Sequence, residues 1–516
     1  MKKQIYIKEW LDVKPYQIHD EVDIYYLNIA NRVKEALGSS KIEKYFIKEF
    51  KNGLLVNKLA CFITCYFEDL ISGTQFWQTF LKKYRSQYQK DFPLIKIENY
   101  IEDEINIEDI QFLSWYFINC QFLSQFDQIG MESDHPTLKN IAIEVMKIFE
   151  SEWETAPENT RLLDNFKIDP NNSDYHSLQN ILNEFVENNY LLKIDFDTVF
   201  APKLHQMKIA GVTDSEFVPI FSLLYNETKF GMRTRLLGLS IAEWILAYID
   251  ADSELGKAIQ NFESDNIFDF FIYQGVDLKG IHTFKTVITG NDYEVDFQDD
   301  LFEYGKIYLL DLIKWKEQWK LIGLPSLADD PSKYLNNRKN NTPKENALKI
   351  EATEILAQCF LEYNKNSPIA FVDGKDSKNF LAEVYQLFNK RWKALKGEQA
   401  KGSLNVDNLN NIEEDTPNII FMNTAYGIEV LWGINDAFPD KKNPFFEGES
   451  TEEDINFMIQ NSSISKELVE YCLKNYKEKI NFNNTFEKDR TLENIDFLMR
   501  FCKGEHYFSK IEMTLN

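Results

Sequence analysis

The stretch HTFKTVITGNDYEVDFQDDLFEYGKIYLLDLIKWKEQWKLIG, residues 282–323, has a pattern unlike that of the rest of the chain. In HTFKTVI and YEVDF, aromatic and β-branched residues alternate with polar ones, the period of a half-buried strand. Thr289-Gly290-Asn291-Asp292 between them is typical of a β-hairpin turn. Three more segments have strand composition: KIYLLDLIKW and WKLIG, which follow the hairpin, and NIFDFFIYQGVDL at 266–278, which precedes it. Five short strands can close on themselves, so the sequence predicts a small five-stranded β-barrel over 266–325.

The sequence predicts mainly helices for the remainder of the chain. Gly (20) and Pro (14) are few among 516 residues, and few breakers favour helices joined by short turns. LLVNKLACFITCYFEDLISG predicts a very apolar helix over 54–72, and IEDIQFLSWYFINCQFLS predicts another over 107–124. His135-Pro136 opens a further helix, since proline is tolerated in the first turn. Residues 4–16 are expected to be extended.

These patterns predict an α+β protein with several domains. A mainly α-helical domain covers 1–265, the small barrel covers 266–325, and 326–345 is a polar linker. Residues 346–516 form an α+β domain, in which NIIFMNTAYGIEVLWG is a clear hairpin. Its polar and acidic segment 397–417 has the composition of a disordered loop.

Charge and cysteine content limit the cellular locations and the kinds of partner that we expect for this protein. The formal net charge is −25, and an acidic surface repels nucleic acid and anionic lipid on average. The start MKKQIYIKEW has no apolar core of a signal peptide, and no run of about 18 apolar residues occurs. The six cysteines include no CxxC pair. We therefore expect a cytoplasmic protein with reduced thiols, without a membrane span and with a protein partner.

Motifs that would assign an activity are missing from the sequence. There is no GxxxxGK, GxGxxG, GxSxG or HExxH. Glu132 and His135 have the ExxH spacing of some metal sites, but Pro136 favours helix capping instead. Acidic clusters such as Glu68-Asp69 and Glu108-Asp109 are expected by chance among 82 acidic residues. No catalytic residue, cofactor or metal is predicted, and a carboxylate or arginine site remains an alternative.

Three groups of residues are candidates for contacts with nucleic acid or another anion. Two interleave cations with aromatic rings, which can neutralise phosphates and stack on bases, and the third precedes an apolar helix. The groups are Lys82, Lys83 and Arg85; Lys390, Arg391 and Trp392; and Arg233 with Arg235. The competing interpretation is structural: the first two are cations at helix ends, where the helix dipole favours them, and the two arginines pair with carboxylates.

Trp315 and Trp319 flank the last turn of the predicted barrel. Exposed, they would form a recognition patch. Buried, they would plug the barrel end or dock it on the helices, and burial is the favoured interpretation.

Five blocks of the sequence resemble one uncharacterised family. They are IYIKEWLDVKPY, DIYYLNIANRV, CFITCYFEDLISG, RTRLLGLSIAEW and AFPDKKNPFF. The family is a domain of unknown function found largely in Bacteroidota, and the resemblance runs nearly end to end. It implies a bacterial, cytoplasmic protein and supplies no activity. ITGNDYEV, EYGKIYLLDLI and EQWKLIG are also similar to strands of small barrels in bacterial proteins with SEC-C tails.

Three functional hypotheses follow. The first is a non-enzymatic binding or scaffold protein that acts through protein contacts. The second is a nucleic-acid-associated factor that uses the basic and aromatic clusters, which the net charge disfavours. The third is an enzyme with an unrecognised carboxylate or arginine site. A basic groove would favour the second, and a deep polar pocket would favour the third.

Overall fold

The computed structural model describes residues 4–39, 42–209, 214–260, 266–297, 301–328, 343–397, 413–482 and 485–508. The chain divides into two compact units, Met1–Pro331 and Ser332–Asn516. Most of the predicted linker 326–345 and of the predicted loop 397–417 lies outside the described residues. None of the helices among the described residues has both the length and the apolar character that crossing a membrane requires.

The first unit begins with helices. They are α1 (Ile7–Leu11), α2 (Glu21–Ser39), α3 (Ile42–Phe50), α4 (Leu55–Ser72), α5 (Phe76–Tyr88), α6 (Ile107–Phe126), α7 (Pro136–Glu152), α8 (Thr160–Asn165), α9 (Tyr175–Asn188), α10 (Tyr190–Ile209), α11 (Asp214–Gly231), α12 (Ile241–Tyr248) and α13 (Glu254–Ile259).

Local sequence signals explain where several of these helices lie. The predicted apolar helices α4 and α6 are confirmed, and both are buried over most of their length. The predicted start at Pro136 is confirmed too, with the His135 side chain accepting a hydrogen bond from the Thr137 N–H. The expectation of an extended segment over 4–16 was wrong. Glu9 accepts from the Tyr6 N–H at 3.0 Å, and this contact satisfies an otherwise unpaired group at the start of α1.

The strands of the first unit form one mixed sheet. They are β1 (Asn266–Val276), β2 (Ile281–Thr286), β3 (Asp292–Asp296), β4 (Ile307–Trp315), β5 (Gln318–Leu321) and β6 (Ser326–Leu327). The order is β1-β2-β3-β5-β4-β6, and an additional pairing of β1 with β4 closes a ring of five strands. All pairings are antiparallel except that of β3 with β5, where Val295 faces Trp319. The α+β class and the hairpin at Gly290 are confirmed, while β6 was not predicted.

The ring of strands is filled by its own side chains and docks on the helices of the same unit. Its interior cluster includes Phe271, Phe284, Val295 and Leu312, each at most 1% exposed. The contact with the helices is polar as well as apolar. Trp315 donates through Nε1 to the Ser173 carbonyl at 3.0 Å, and the Tyr175 hydroxyl donates to the Leu321 carbonyl at 3.2 Å. These contacts bring the sheet against α9.

The second unit combines a small sheet with helices. Its elements are α14 (Pro343–Tyr363), β7 (Ile369–Val372), α15 (Gly374–Lys396), β8 (Asn418–Asn423), β9 (Gly427–Trp432), α16 (Glu452–Gln460), α17 (Lys466–Tyr476), α18 (Thr485–Glu493) and α19 (Ile495–Lys503). The three strands are antiparallel in the order β7-β8-β9, and β8 with β9 confirms the predicted hairpin. Helices α14 and α15 share a buried apolar cluster with this sheet.

Candidate functional site

A polar cleft lies between α9, α11 and the sheet of the first unit. Its volume is about 690 Å³, within the range of small-molecule sites, which is about 300–1,000 Å³. The lining is Asp174, Tyr175, His176, Gln179, Asn180, Asn183, Ser222, Tyr225, Asn226, Lys229, Asp296, Phe297, Lys320, Leu321, Gly323 and Leu324. Amide, hydroxyl and ammonium groups dominate the two helical walls, so the cleft can exchange several hydrogen bonds with a bound molecule.

One face of α9 forms the first wall. His176, Gln179, Asn180 and Asn183 follow the spacing of three and four residues that aligns side chains on one helical face. Gln179 donates to the Tyr175 hydroxyl at 3.1 Å. Asn180 is exposed. This wall therefore offers amide donors and acceptors to the cleft.

The second wall is a matching face of α11. Ser222, Tyr225, Asn226 and Lys229 have the same helical spacing. The Asn226 side chain donates to the Ser222 carbonyl at 2.7 Å, which fixes the amide against its own helix. Lys229 lies one turn further along and is only 3% exposed.

The sheet closes the third side through β5 and the residues that follow it. Lys320 forms an ion pair with Asp296 on β3, and the Leu324 N–H donates to Ser222 Oγ at 3.2 Å. Gly323 has a φ of +73°, and a Cβ there would lie 2.4 Å from Asn226 Nδ2. Another residue at this position would be strained by the backbone conformation, and its Cβ would displace the Asn226 side chain.

Lys229 is a buried lysine of the cleft lining whose pKa lies below its usual value. Its ammonium donates to Asn183 Oδ1 at 2.8 Å and lies 4.8 Å from the centre of the Phe230 ring. Burial lowers the pKa of Lys229 to about 8, and the charges of Glu187 and Asp311 only partly oppose this. Groups with strongly shifted pKa values beside a cleft are enriched at functional sites.

A comparison with protein families assigns the helical part of the chain to a family. A family described as "Protein of unknown function (DUF3843)" matches residues 4–267, just over half of the 516 residues. The chain belongs to this family. Both helical walls of the cleft lie within the DUF3843 region, whereas β2 to β6 lie beyond it. Comparisons with curated proteins and with solved structures gave no match.

The DUF3843 region contains four of the five sequence blocks that carried the resemblance, and the fifth, at 437–446, follows it. The bacterial source and the likeness of the sheet to SEC-C-associated proteins stay predictions.

The first predicted basic cluster lies on α5 of the DUF3843 region. Lys82 is exposed and Lys83 is half-buried. Arg85 forms an ion pair with Glu102 and donates through Nε to the Asp91 carbonyl at 3.1 Å. The cluster contributes no residue to the lining of the cleft.

The predicted arginine pair of the DUF3843 region lies beside carboxylates. Arg233 forms an ion pair with Glu243, the residue that also completes the capping box at the start of α12. Arg235 Nε lies 3.9 Å from Asp195 Oδ1, and its backbone N–H donates to Asp195 Oδ2 at 2.7 Å. Burial raises the pKa of Asp195 to about 6 against the opposing charge of Arg235.

The third predicted group lies at the end of α15 in the second unit. Lys390 is exposed. Arg391 pairs with Glu362 at 2.7 Å. Trp392 is 2% exposed and belongs to the apolar cluster of that unit, so its ring is packed in the core.

The two tryptophans of the predicted recognition patch lie in the sheet. Trp315 is 3% exposed and docks on the helices through its hydrogen bond to the Ser173 carbonyl. Trp319 is half-buried and meets the Tyr293 ring edge-on with ring centres 5.2 Å apart.

Three carboxylates of the acidic clusters, Glu68, Asp69 and Asp109, are buried inside the helical region. Glu68 forms an ion pair with Lys14, and Asp69 accepts hydrogen bonds from the N–H groups of Phe76 and Trp77. Asp109 accepts from the Tyr66 hydroxyl at 2.6 Å, and burial raises its pKa to about 7. A cavity of about 10 Å³ beside Lys14 and Glu68 is about large enough for one water molecule. These carboxylates therefore serve the packing of the helices.

Sequence reasoning missed the residues that line the cleft. Asn180, Asn183 and Lys229 were not among the predicted site residues. The polar side chains of 176–183 and 222–229 have helical spacing, but this spacing does not distinguish them from an ordinary solvent-facing helix surface. Among the described residues, no group of three or more His, Cys, Asp or Glu side chains is placed to hold a metal ion.

Proposed function

We propose that the chain is a cytoplasmic binding protein whose cleft between α9, α11 and the sheet takes a small polar molecule. The observation that carries the proposal is the partly satisfied ammonium of Lys229 inside a cleft of about 690 Å³. Buried polar groups are normally hydrogen-bonded to protein or water. A cleft that presents one buried amine and several amides therefore fits a ligand with complementary oxygen and nitrogen atoms.

Two further observations agree with this proposal. The six cysteines are free and buried, which fits a reducing compartment. Two of the predicted nucleic-acid contacts, Arg85 and Arg391, already pair with carboxylates. The nucleic-acid hypothesis therefore has less support than a small ligand does.

Blocking the cleft tests the proposal. Asn180 is exposed at the wall of the cleft, so Asn180→Trp should fill the opening with less than about 0.5 kcal/mol effect on stability. The tagged protein is purified from its native cytoplasm, and the small molecules released on denaturation are identified by mass spectrometry. We expect a compound enriched with the wild-type protein and reduced at least tenfold with Asn180→Trp.

Asn171→Trp is the matched control, since Asn171 is exposed and outside the lining. It should retain the compound. Equal recovery from all three proteins, or no compound from any of them, would contradict the proposal. Recovery of a compound that the purified protein chemically alters on incubation would favour the enzyme hypothesis.

A second candidate function, protein contact, is favoured by apolar side chains at one end of the sheet. Val276 and Leu278 at the turn after β1 are 49% and 108% exposed, and Leu301 and Tyr304 are 53% and 77% exposed. The Gly305 N–H donates to the Tyr273 carbonyl at 2.9 Å, which holds the loop that carries Tyr304 against the end of β1. Clusters of exposed apolar groups are enriched at interaction surfaces.

Leu278→Asp tests this second candidate. The variant should lose any protein that co-purifies in stoichiometric amount, because a carboxylate in an apolar contact would be desolvated without a partner. Ile18→Asp is the control, since Ile18 is an exposed apolar residue elsewhere, at 75%. A partner that both variants retain, or that both lose, would argue against a docking role for the end of the sheet.

A further inference from the structure

We infer that the ligand of the cleft is an organic monocarboxylate whose carboxylate group pairs with Lys229. This inference rests on the proposed function, and it names the chemical class of the molecule. It depends on three features of the cleft: the incomplete set of partners around Lys229, the charges of the described lining residues, and the absence of arginine from these same residues.

The ammonium of Lys229 is buried with most of its hydrogen-bonding capacity unused. A lysine ammonium has three donors, and Lys229 uses one of them, toward Asn183. Among the described residues Lys229 forms no ion pair. A buried charge is costly unless it is both paired and hydrogen-bonded. An anion that entered the cleft would supply the missing partner.

Two of the three carboxylates near Lys229 are engaged elsewhere, and the third, Asp311, is buried nearby. On α9, Glu187 accepts from the Tyr225 hydroxyl, and Asp174 accepts from the Ser177 N–H at the start of the helix. Asp311 on β4 acts on Lys229 only through its charge. His176 completes the titratable groups of this wall, and on the sheet side Lys320 is paired with Asp296.

Charge balance and geometry favour a carboxylate over a phosphate. Among the described lining residues are two aspartates and two lysines, and Glu187 and Asp311 add negative charge near Lys229. A singly charged anion therefore meets less repulsion here than a phosphate dianion does. In the part of the lining that the structure describes there is no arginine, the side chain whose planar fork matches phosphate. One ammonium with an adjacent amide suits a singly charged, planar group. Asn183 accepts from Lys229 through Oδ1, so its Nδ2 can donate to the second carboxylate oxygen.

The rest of the cleft indicates what the remainder of the molecule carries. A volume of about 690 Å³ exceeds what a carboxylate alone requires. Gln179, Asn180 and Asn226 present amides, while Tyr225 and Phe297 present rings. The cleft therefore suits a monocarboxylate with uncharged polar groups and some apolar surface.

Binding of such an anion should be linked to proton uptake. Burial lowers the pKa of Lys229 to about 8, and a bound anion would raise it, because an opposite charge favours the protonated amine. The amine is mainly charged below this pKa and loses its proton above it. Affinity should therefore be highest below pH 8 and fall as the pH rises further, by up to about tenfold per pH unit.

The test uses acetate, the simplest monocarboxylate, and measures the titration of Lys229 in the full-length protein. Fluorodinitrobenzene reacts with neutral amines, and peptide mass spectrometry reports the extent of labelling at each lysine over a range of pH. Parallel samples contain sodium acetate, inorganic phosphate or sodium chloride at equal ionic strength. Lys139, which is exposed, is the internal reference.

We expect acetate to raise the titration midpoint of Lys229 by about one pH unit, which lowers its labelling near pH 8 several-fold. Chloride should leave the midpoint unchanged, phosphate should shift it less than acetate does, and Lys139 should respond to none of them. Asn180→Asp, which adds a carboxylate at an exposed wall position, should reduce the acetate effect. An unchanged midpoint at saturating acetate, or a larger shift with phosphate, would overturn the inference.

The two proposals can fail separately. If Asn180→Trp loses a co-purified compound while acetate leaves Lys229 unchanged, the cleft binds a ligand of another class. If the wild-type protein yields no such compound and acetate has no effect, both proposals fail.

Discussion

Replacing Lys14 with methionine is expected to lower the free energy of unfolding by about 3–5 kcal/mol. Lys14 is 3% exposed and Glu68 is fully buried, and the two form an ion pair inside the helical region. Removing the cation leaves Glu68 with the Asn159 amide at 2.8 Å as its hydrogen-bond partner. An unpaired buried carboxylate must then be neutralised or exposed to water, and either change is unfavourable. Denaturant unfolding followed by tryptophan fluorescence measures the effect.

Two further variants separate the charge from the loss of packing. Lys8→Met changes an exposed lysine on α1 and should alter the free energy of unfolding by less than about 0.5 kcal/mol. Combining Lys14→Met with Glu68→Gln removes both charges and keeps an acceptor for Asn159. The double variant should therefore be more stable than Lys14→Met alone. If it were less stable than Lys14→Met, the uncompensated carboxylate would not be the cause of the loss.

Lys503→Met is expected to have an effect of similar size in the second unit. The Lys503 side chain, 2% exposed, donates to the carbonyl groups of Met458, Asn461 and Ile464 at 2.9, 2.6 and 2.7 Å. These carbonyls lie at the end of α16 and in the connection to α17, where the helix itself provides no donor. Methionine cannot donate, so the Met458 and Ile464 carbonyls lose this donor, whereas the Asn461 carbonyl keeps the Ile464 N–H at 3.2 Å. Each buried acceptor left without a partner costs about 1–3 kcal/mol, so we expect a total loss of about 2–5 kcal/mol.

Hydrogen exchange checks this prediction locally. Amides of α16 and α17 should exchange faster in Lys503→Met because their connection loses its shared donor. Lys474→Met, at an exposed position on α17, is the control and should leave exchange unchanged. Equal exchange in both variants would show that the three carbonyl contacts do not hold this connection together.

Secondary structure followed closely from local patterns in the sequence. The alternation around Gly290 predicted the hairpin of β2 and β3, and the continuous apolar runs predicted α4 and α6, because side-chain period and turn chemistry act over a few residues. The segment at 4–16 was the exception. Its aromatic and β-branched residues suggested an extended chain, whereas the Glu9 contact with the Tyr6 N–H allows a short helix.

The candidate site could not be predicted in the same way. The contact of Asn183 with Lys229 joins residues 46 positions apart, and the sheet-side residues that close the cleft, Asp296 to Leu324, come 67 to 95 positions after Lys229. The basic clusters singled out in the sequence were recognisable because their members are neighbours in the chain. Their partners, such as Glu102 for Arg85 and Glu362 for Arg391, become visible only in the fold.

The sequence by itself determined the α+β class, the type of most helices and strands, and membership of a family of unknown function. Tertiary structure decided which polar groups meet. The propensity of a segment for helix or strand depends on interactions among a few adjacent residues. The burial of a side chain and its choice of partner depend on how distant segments pack. Lys14 and Lys229 show the difference: both are buried lysines, yet packing gives the first a carboxylate and leaves the second facing an open cleft.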